Sequence, residues 1–514
     1  MRARHLVMAI LWVGLTTPAM AVADAKGLYT TRAVATTETQ KCLACHTQMN
    51  PNLCMSWERG RHAEKAVGCY ECHVASATDI DAIPDHHGFT ISTLVTPFDC
   101  ARCHKEQADS FLNSHHAKGG RVLHSLSNFW GEVVEGYAAS LNGCQSCHGS
   151  KVHIDPETRK PLANGYPNHG IGRLNPDGSE GNCVACHQRH DFKMSAARRA
   201  EVCGRCHMGP DHPQIEIWLE SKHGNAYDEL NRGVDLNAPK LTLGKDHIGA
   251  PSCYTCHFGA TNASGSVSSH DPAHRLSWNL RDAISVRRDN WREKRQAMEG
   301  VCNRCHSPTY VKNHFIQLEK AVALYNHKFA LPAKKILDTL KAAGKLDESP
   351  VNDKLERDWW HLWHHQGRRA RHGVAMMGAD YVQWQGFYDV ALIFYFEFLP
   401  EAERLMPGIT KPVLDKIEHQ WLRDRISKPE EVKKAIQESV RFWYEQIPEP
   451  KSEGVLPPGY REGEIKPVEY PPADSGSGSQ ALPNPTPQPA SDAAPTPTPV
   501  SPASSAVPVT PGAR

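Results

Sequence analysis

The sequence predicts a mainly α chain in two unlike halves, and three observations carry that prediction. A five-residue pattern, Cys-x-x-Cys-His, occurs eight times between residues 42 and 306. From about Tyr310 to Ile447 apolar residues recur at three-to-four spacing with interleaved charge, the mark of amphipathic helices. Apolar content is only 40% and mean hydropathy is negative, so something other than aliphatic side chains must fill the interior of a 514-residue chain.

The N-terminus reads as a secretory signal: Arg2 and Arg4, an apolar run from Leu6 to Leu15, then small-residue sites around Ala19, Ala21 and Ala23. The run is shorter than the roughly 20 apolar residues a membrane span needs. Residues 1–23 are therefore expected to be a cleaved signal peptide, which places the mature protein in the periplasm. The most apolar later stretch, Val390 to Leu399, contains Glu397 and follows Asp389, so it reads as a buried helix. No integral membrane segment is expected in the mature chain. Lysine plus arginine (58) almost cancels aspartate plus glutamate (57), which argues against a nucleic-acid binder.

Seventeen cysteines in an exported chain suggest disulfides, but their spacing does not. The first four motifs pair Cys42 with Cys45, Cys69 with Cys72, Cys100 with Cys103 and Cys144 with Cys147; His46, His73, His104 and His148 follow. The other four pair Cys183 with Cys186, Cys203 with Cys206, Cys253 with Cys256 and Cys302 with Cys305; His187, His207, His257 and His306 follow. One turn of backbone sets two thiols under the two vinyl groups of a porphyrin, and the adjoining histidine reaches the iron. Zinc sites also use Cys-x-x-Cys, but a histidine directly after every second cysteine is not a zinc pattern. The expected cofactors are eight covalent haem c groups, and the chain reads as a multihaem cytochrome c. Cys54 is left over and reads as a small buried hydrophobe.

Residues 24–309 form the expected haem-packed N-terminal part, with gaps rich in Gly, Pro, Asn and His. Twenty to fifty residues per haem forces neighbouring macrocycles together, so the array should conduct electrons as a wire. Residues 310–456 form the expected long-helix C-terminal bundle, with helices over Phe315 to Leu346, Asp353 to Glu397 and Val413 to Tyr444. Residues 457–514, rich in Pro, Ser and Ala, read as a disordered tail.

A haem with two axial histidines only carries electrons, whereas one with an open position can transform a small molecule. Thirty histidines less eight leave 22 for the second position. By nearness to a motif and polar neighbours, the candidate distal ligands are His62, His87, His116, His190, His223, His274 and His314. His115, His247 and His270 are second choices. Sequence cannot pair a distal histidine with its haem.

The stretch Cys144 to Gly149, then Gly170-Ile-Gly-Arg-Leu-Asn-Pro-Asp-Gly178, Cys203 to His207, Gly209-Pro-Asp-His-Pro-Gln214 and Ser221-Lys-His-Gly224 resembles the hydroxylamine oxidoreductase family of octahaem cytochromes c. Gly367-Arg-Arg-Ala-Arg-His-Gly373 and Met376-Met-Gly-Ala-Asp-Tyr381-Val-Gln-Trp-Gln-Gly386 extend the resemblance, which runs from about residue 38 to 445. It implies a homotrimer whose fourth haem, held by Cys144, Cys147 and His148, is five-coordinate and catalytic. It further implies that Tyr381, with Tyr388 as fallback, is bonded to the fourth porphyrin of a neighbouring subunit, and that Asp211 and His212 stand above the open iron. Such a site would oxidise hydroxylamine to nitric oxide or nitrite and pass electrons through seven bis-histidine haems to a cytochrome c acceptor. A carboxylate and an imidazole suit that role, because the oxidation removes protons together with electrons. Three alternatives stand beside it: a hydrazine dehydrogenase, a reductive nitrite-converting relative, and a pure electron-transfer cytochrome.

Overall fold

The computed structural model describes residues 35–122, 130–259, 269–349, 351–422 and 428–443. The expected signal peptide and the Pro-rich tail lie outside the described residues. Among them helices dominate, and β-structure is confined to two antiparallel pairs, Ile83–His86 with Phe89–Ile91 and Trp278–Asn279 with Val286–Arg287.

In the N-terminal part most helices are short, Thr37–Met49 and Trp291–Cys302 being the exceptions, because each motif is itself about one turn. The histidine N–H bonds back to the carbonyl of the first cysteine: His104 to Cys100 at 2.8 Å, His207 to Cys203 at 2.9 Å, His306 to Cys302 at 2.9 Å. That closed turn brings two sulfurs and an imidazole close together. All 17 cysteines are free of disulfides. Cys54 is 3% exposed, beside Trp57 on the helix Pro51–Glu58.

The C-terminal helices are longer. Ser307 caps the helix Pro308–Leu324 by accepting from the Tyr310 N–H, with proline in the first turn where no donor is needed. The helix runs through a widened turn, Tyr325–Ala330, into Leu331–Ala342. The expected single helix from Asp353 to Glu397 is two. Lys354–Trp360, His361–Gly367 and Arg368–Met376 make the first; Met377 then adopts a left-handed conformation (φ 65°), and helical structure resumes at Ala379 and runs to Leu405. The arms of this hairpin touch backbone to backbone. A Cβ on Gly373 would lie 2.8 Å from the Tyr381 carbonyl carbon, and one on Gly386 would lie 2.9 Å from the Ala370 Cα. Glycine at both positions is what allows the contact. The third expected helix, Val413 to Tyr444, is also broken, into Lys411–Leu414, a tight turn Ile417–Leu422 and Pro429–Arg441; residues 423–427 and 444 lie outside the described residues.

The main core is aromatic and aliphatic. Tyr325, Leu340, Leu355, Leu362, Val390, Phe394 and Phe398 are fully buried within it, each such side chain contributing about 1.5–3 kcal/mol by leaving water. A second cluster, Trp278, Val311, Phe315, Leu318 and Val322, spans the expected boundary at 309/310 and packs one half on the other. Beside it Glu319 accepts from Arg287 at 2.7 Å, Arg295 at 2.5 Å and the Trp278 indole at 3.0 Å. Arg371, wholly buried, has its donors met by the Gly367 and Asp282 carbonyls and the Ser285 hydroxyl at 2.6–2.9 Å.

Candidate functional site

Two opposed imidazoles that share one metal ion, each at roughly 2 Å from it, have ring centroids about 6 Å apart. Five motif histidines face another histidine at that spacing: His46 and His86 at 6.3 Å, His104 and His62 at 6.1 Å, His187 and His270 at 6.3 Å, His207 and His116 at 6.0 Å, His306 and His223 at 6.0 Å. His73 neighbours His190, whose pKa is held to about 4 by burial and then by His73. His257 neighbours His274 in the same electrostatic sense.

The ring nitrogens away from the partner are anchored in a way that also fits a haem. His73 Nδ1 meets the Ser92 carbonyl at 2.7 Å, His257 Nδ1 the Pro272 carbonyl at 3.3 Å, and His46 Nδ1 the Asn50 amide oxygen at 3.1 Å. An Nδ1–H given to an acceptor leaves Nε2 free for iron. Side chains, spacing and tautomer thus suit iron held between two imidazoles.

Two first-choice distal residues, His87 and His314, and two second choices, His247 and His115, fall elsewhere. His86, not His87, faces His46; His87 sits past the strand end with φ 52° and its ring is 5.1 Å from that of His86. His223 rather than His314 faces His306, although His314 is within electrostatic range of both. His270, a second choice, is the ring opposite His187, while His247 hydrogen bonds Asn231 at 3.0 Å and His115 contacts Arg288 at 3.3 Å.

His148 differs. Like His73 and His257 it faces no histidine ring at the 6 Å spacing among the described residues, but its imidazole neighbour is shared with another motif and a carboxylate stands beside it. Its electrostatic neighbours are His212 and Asp211; burial and His212 lower its pKa, and Asp211 opposes them. His212 lies between two motifs, since its ring is also 6.0 Å from that of His207. The sulfurs agree: Cys147 of the fourth motif is within hydrogen-bond reach of Cys206 of the sixth. Elsewhere adjacency follows chain order, with Cys42 beside Cys69, Cys72 near Cys100, Cys203 beside Cys253 and Cys256 near Cys302; Cys100 meets Cys183 of the fifth motif and passes over the fourth. The fourth motif is a side branch on the sixth.

Over this branch lies the helix from Lys354 to Met376. Asp211 Oδ2 is 3.3 Å from Arg368 Nη1, 3.6 Å from His212 Nε2 and 3.9 Å from His364 Nε2. Arg369 donates to the Pro210 carbonyl at 2.6 Å, which fixes the turn carrying Asp211. Trp360 stacks on His364 with centroids 4.3 Å apart, and His361 and His365 pair through Nδ1 at 3.1 Å. Burial, then Arg368 and the surrounding imidazoles, hold His364 down to about 2, and burial then His361 hold His365 to about 4, so both are neutral at ordinary pH. Sequence reasoning missed this group. The signal was present as Trp360, His364, Arg368 and His372 at four-residue spacing, one face of one helix.

Tyr381 is part-buried against its own chain, where Glu216, Gln385, Arg369 and Glu220 surround its hydroxyl and burial raises its pKa. Tyr388 is 45% exposed, beside Trp384 at 59%.

Comparison with known proteins extends this picture. Residues 176–353 match the family described as seven times multi-haem cytochrome CxxCH, and residues 16–74 match cytochrome c554 and c-prime. Over 256 residues the chain is 26% identical to a probable nitrite reductase-hydroxylamine oxidoreductase fusion protein of Kuenenia stuttgartiensis; the match covers 43% of this chain but only 26% of that longer protein. A solved hypothetical multiheme protein superposes with TM-score 0.64 at 24% identity, covering 72% of this chain and 97% of the other. A chain of the Kuenenia stuttgartiensis reducing HAO-like protein complex superposes with TM-score 0.53 at 20% identity, covering 73% and 87%. The last two share the fold. No helix among the described residues is long and apolar enough to cross a membrane.

Proposed function

We propose that this chain, which belongs with the multihaem cytochromes c related to hydroxylamine oxidoreductase, is an exported octahaem oxidoreductase that oxidises hydroxylamine at its fourth motif. The observation that carries the reading is the setting of His148: five motif histidines each face a histidine ring at about 6 Å, whereas the electrostatic neighbours of His148 are the carboxylate of Asp211 and an imidazole, His212, whose ring also stands 6.0 Å from that of His207. A c-type haem bound there supplies an iron that takes a small nitrogen ligand and delivers its electrons to neighbouring haems.

The chain's own residues supply the proton chemistry. Asp211 Oδ2 and His212 Nε2, 3.6 Å apart, accept protons as the substrate N–H and O–H bonds are lost. Arg368 holds the carboxylate in place through a charge-assisted hydrogen bond. Trp360 and His364 help wall the site. Electrons then leave towards a cytochrome c acceptor.

The apolar residues Trp384, Tyr388, Leu392 and Phe396 recur every four positions on one helix and are 37–62% exposed. A stripe of that kind marks a protein contact and supports the homotrimer. The tyrosine cross-link to a neighbouring subunit belongs to the same reading, with Tyr381 carried by the resemblance and Tyr388 more exposed.

One observation favours a second reading. The Asp211 carboxylate lies within 4 Å of Arg368, His212 and His364, and Arg369 holds the turn before it. Such an excess of donors suits an anion, and so a reductive enzyme that converts nitrite. Turnover of hydroxylamine, hydrazine and nitrite, measured side by side with suitable cytochrome acceptors or reduced dyes, decides between them. Carbon monoxide binding to one haem in eight is expected under both; no binding would leave only an electron-transfer cytochrome.

A further inference from the structure

His207 is the motif histidine whose anchor is itself anchored. Its Nδ1 lies 3.3 Å from Gln214 Oε1, and Gln214 Nε2 lies 3.3 Å from Nδ1 of His372. His73 and His257 bond instead to backbone carbonyls, which no side-chain substitution alters. With iron on Nε2 of His207, Nδ1 must carry the proton and donate it to Gln214. The amide orientation follows: its oxygen accepts, its NH2 group donates to His372, and His372 holds its own proton on Nε2. Burial, then Arg371 and Arg368, keep His372 neutral and therefore able to accept.

We propose that Gln214 and His372 act as a pair of positioning residues that fix the ring orientation and basicity of His207, and so set the reduction potential at the sixth motif. The acceptor opposite a ligand's free N–H governs how much electron density the ligand gives the metal. An amide oxygen is intermediate between no acceptor and a carboxylate. Its strength here depends on His372, 158 residues away on the bundle helix, which stops the amide from rotating and presenting its NH2 group to His207. The sixth motif is also where the fourth branches off, so its potential governs whether electrons leave the fourth site readily. The inference needs only that His207 ligates a haem. It stands whether the fourth site oxidises hydroxylamine, reduces nitrite or is closed.

The test is a spectroscopically monitored redox titration of the full haem-loaded protein. In Gln214→Glu one low-spin haem should move to lower potential, because a carboxylate draws the Nδ1 proton and enriches the ligand. Gln214→Leu should raise the same midpoint. His372→Phe should raise it by less and change the g-values of one low-spin electron paramagnetic resonance signal, with haem content intact. Unchanged midpoints in both Gln214 variants overturn the proposal. A shift in the Gln214 variants with none in His372→Phe removes His372 from it. Should Gln214→Leu lose a haem, the near-isosteric Gln214→Glu decides alone. Carbon monoxide binding, recorded on the same samples, reports the fourth site independently.

Discussion

Arg368 Nη1 meets Asp211 Oδ2 at 3.3 Å across 157 residues of sequence, which makes a helix of the C-terminal half part of the wall over the fourth motif. Removing that grip should be felt in turnover before it is felt in folding. Arg368→Leu is expected to lower kcat by about 10², the range seen when a positioned acid or base is lost, while Arg368→Lys, which keeps the charge, should cost much less. Equal losses in the two variants would show that the planar fork matters and the charge does not.

Asp211→Asn and His212→Ala should each lower hydroxylamine turnover by about 10² or more with haem content unchanged. Steady-state kinetics beside a pyridine haemochrome assay reads both quantities. Near-normal turnover in either variant takes that residue out of the mechanism.

The cross-link is tested by denaturing electrophoresis and peptide mapping. Wild type should keep its subunits joined and yield one haem peptide that contains Cys144 to His148 together with a tyrosine. Loss of the joined band in Tyr381→Phe assigns that residue, and loss in Tyr388→Phe assigns the exposed neighbour. A wild type that runs wholly as monomer favours the reductive enzyme.

Glu319 bridges Arg287 and Arg295, with side chains only 9–13% exposed. Glu319→Gln removes the charge that both guanidinium groups share and should reduce unfolding free energy by about 3–5 kcal/mol. Denaturant midpoints measure it. Because Glu319 sits beside the apolar cluster that joins the two halves, both should lose cooperativity together.

His419 is fully buried, and its Nδ1 hydrogen bonds with the Tyr395 hydroxyl at 2.7 Å. Burial, then Lys328 and Lys416, push its pKa down to about 4, so the unfolded chain takes up a proton there before the folded chain does. Its contribution to stability is complete above about pH 6.5 and is lost progressively between 6.5 and about 4, on the order of 3 kcal/mol. In His419→Gln the fall of the urea midpoint between pH 7 and 5 should be shallower than in wild type; parallel curves would refute the assignment.

What could be read from the sequence was local. Each Cys-x-x-Cys-His is one turn of backbone, so residues such as Cys144 and His148 declare their chemistry without reference to the fold. Pairing is tertiary and could not be read: His86 and His87 are adjacent, and only the strand end with the left-handed turn after it turns His86 towards His46. The long helix through Met376 was overextended because its apolar spacing continues past the bend. The bend is visible only in the contacts of Gly373 and Gly386, where the chain meets itself. His364 and Arg368 were passed over because polar residues on an amphipathic helix ordinarily face water. Here that face covers the fourth motif.

The neighbouring sulfurs also constrain how the protein is made. Cys42 with Cys69, Cys100 with Cys183, Cys147 with Cys206 and Cys203 with Cys253 come within reach of one another only in the folded chain, and each pair joins two different motifs. Had folding come first in a compartment that forms disulfides, these pairs would have been ready to oxidise across motifs and block both attachment sites. At these eight cysteines, forming the thioethers while the polypeptide is still extended avoids that competition, and the tertiary structure then closes around groups already in place.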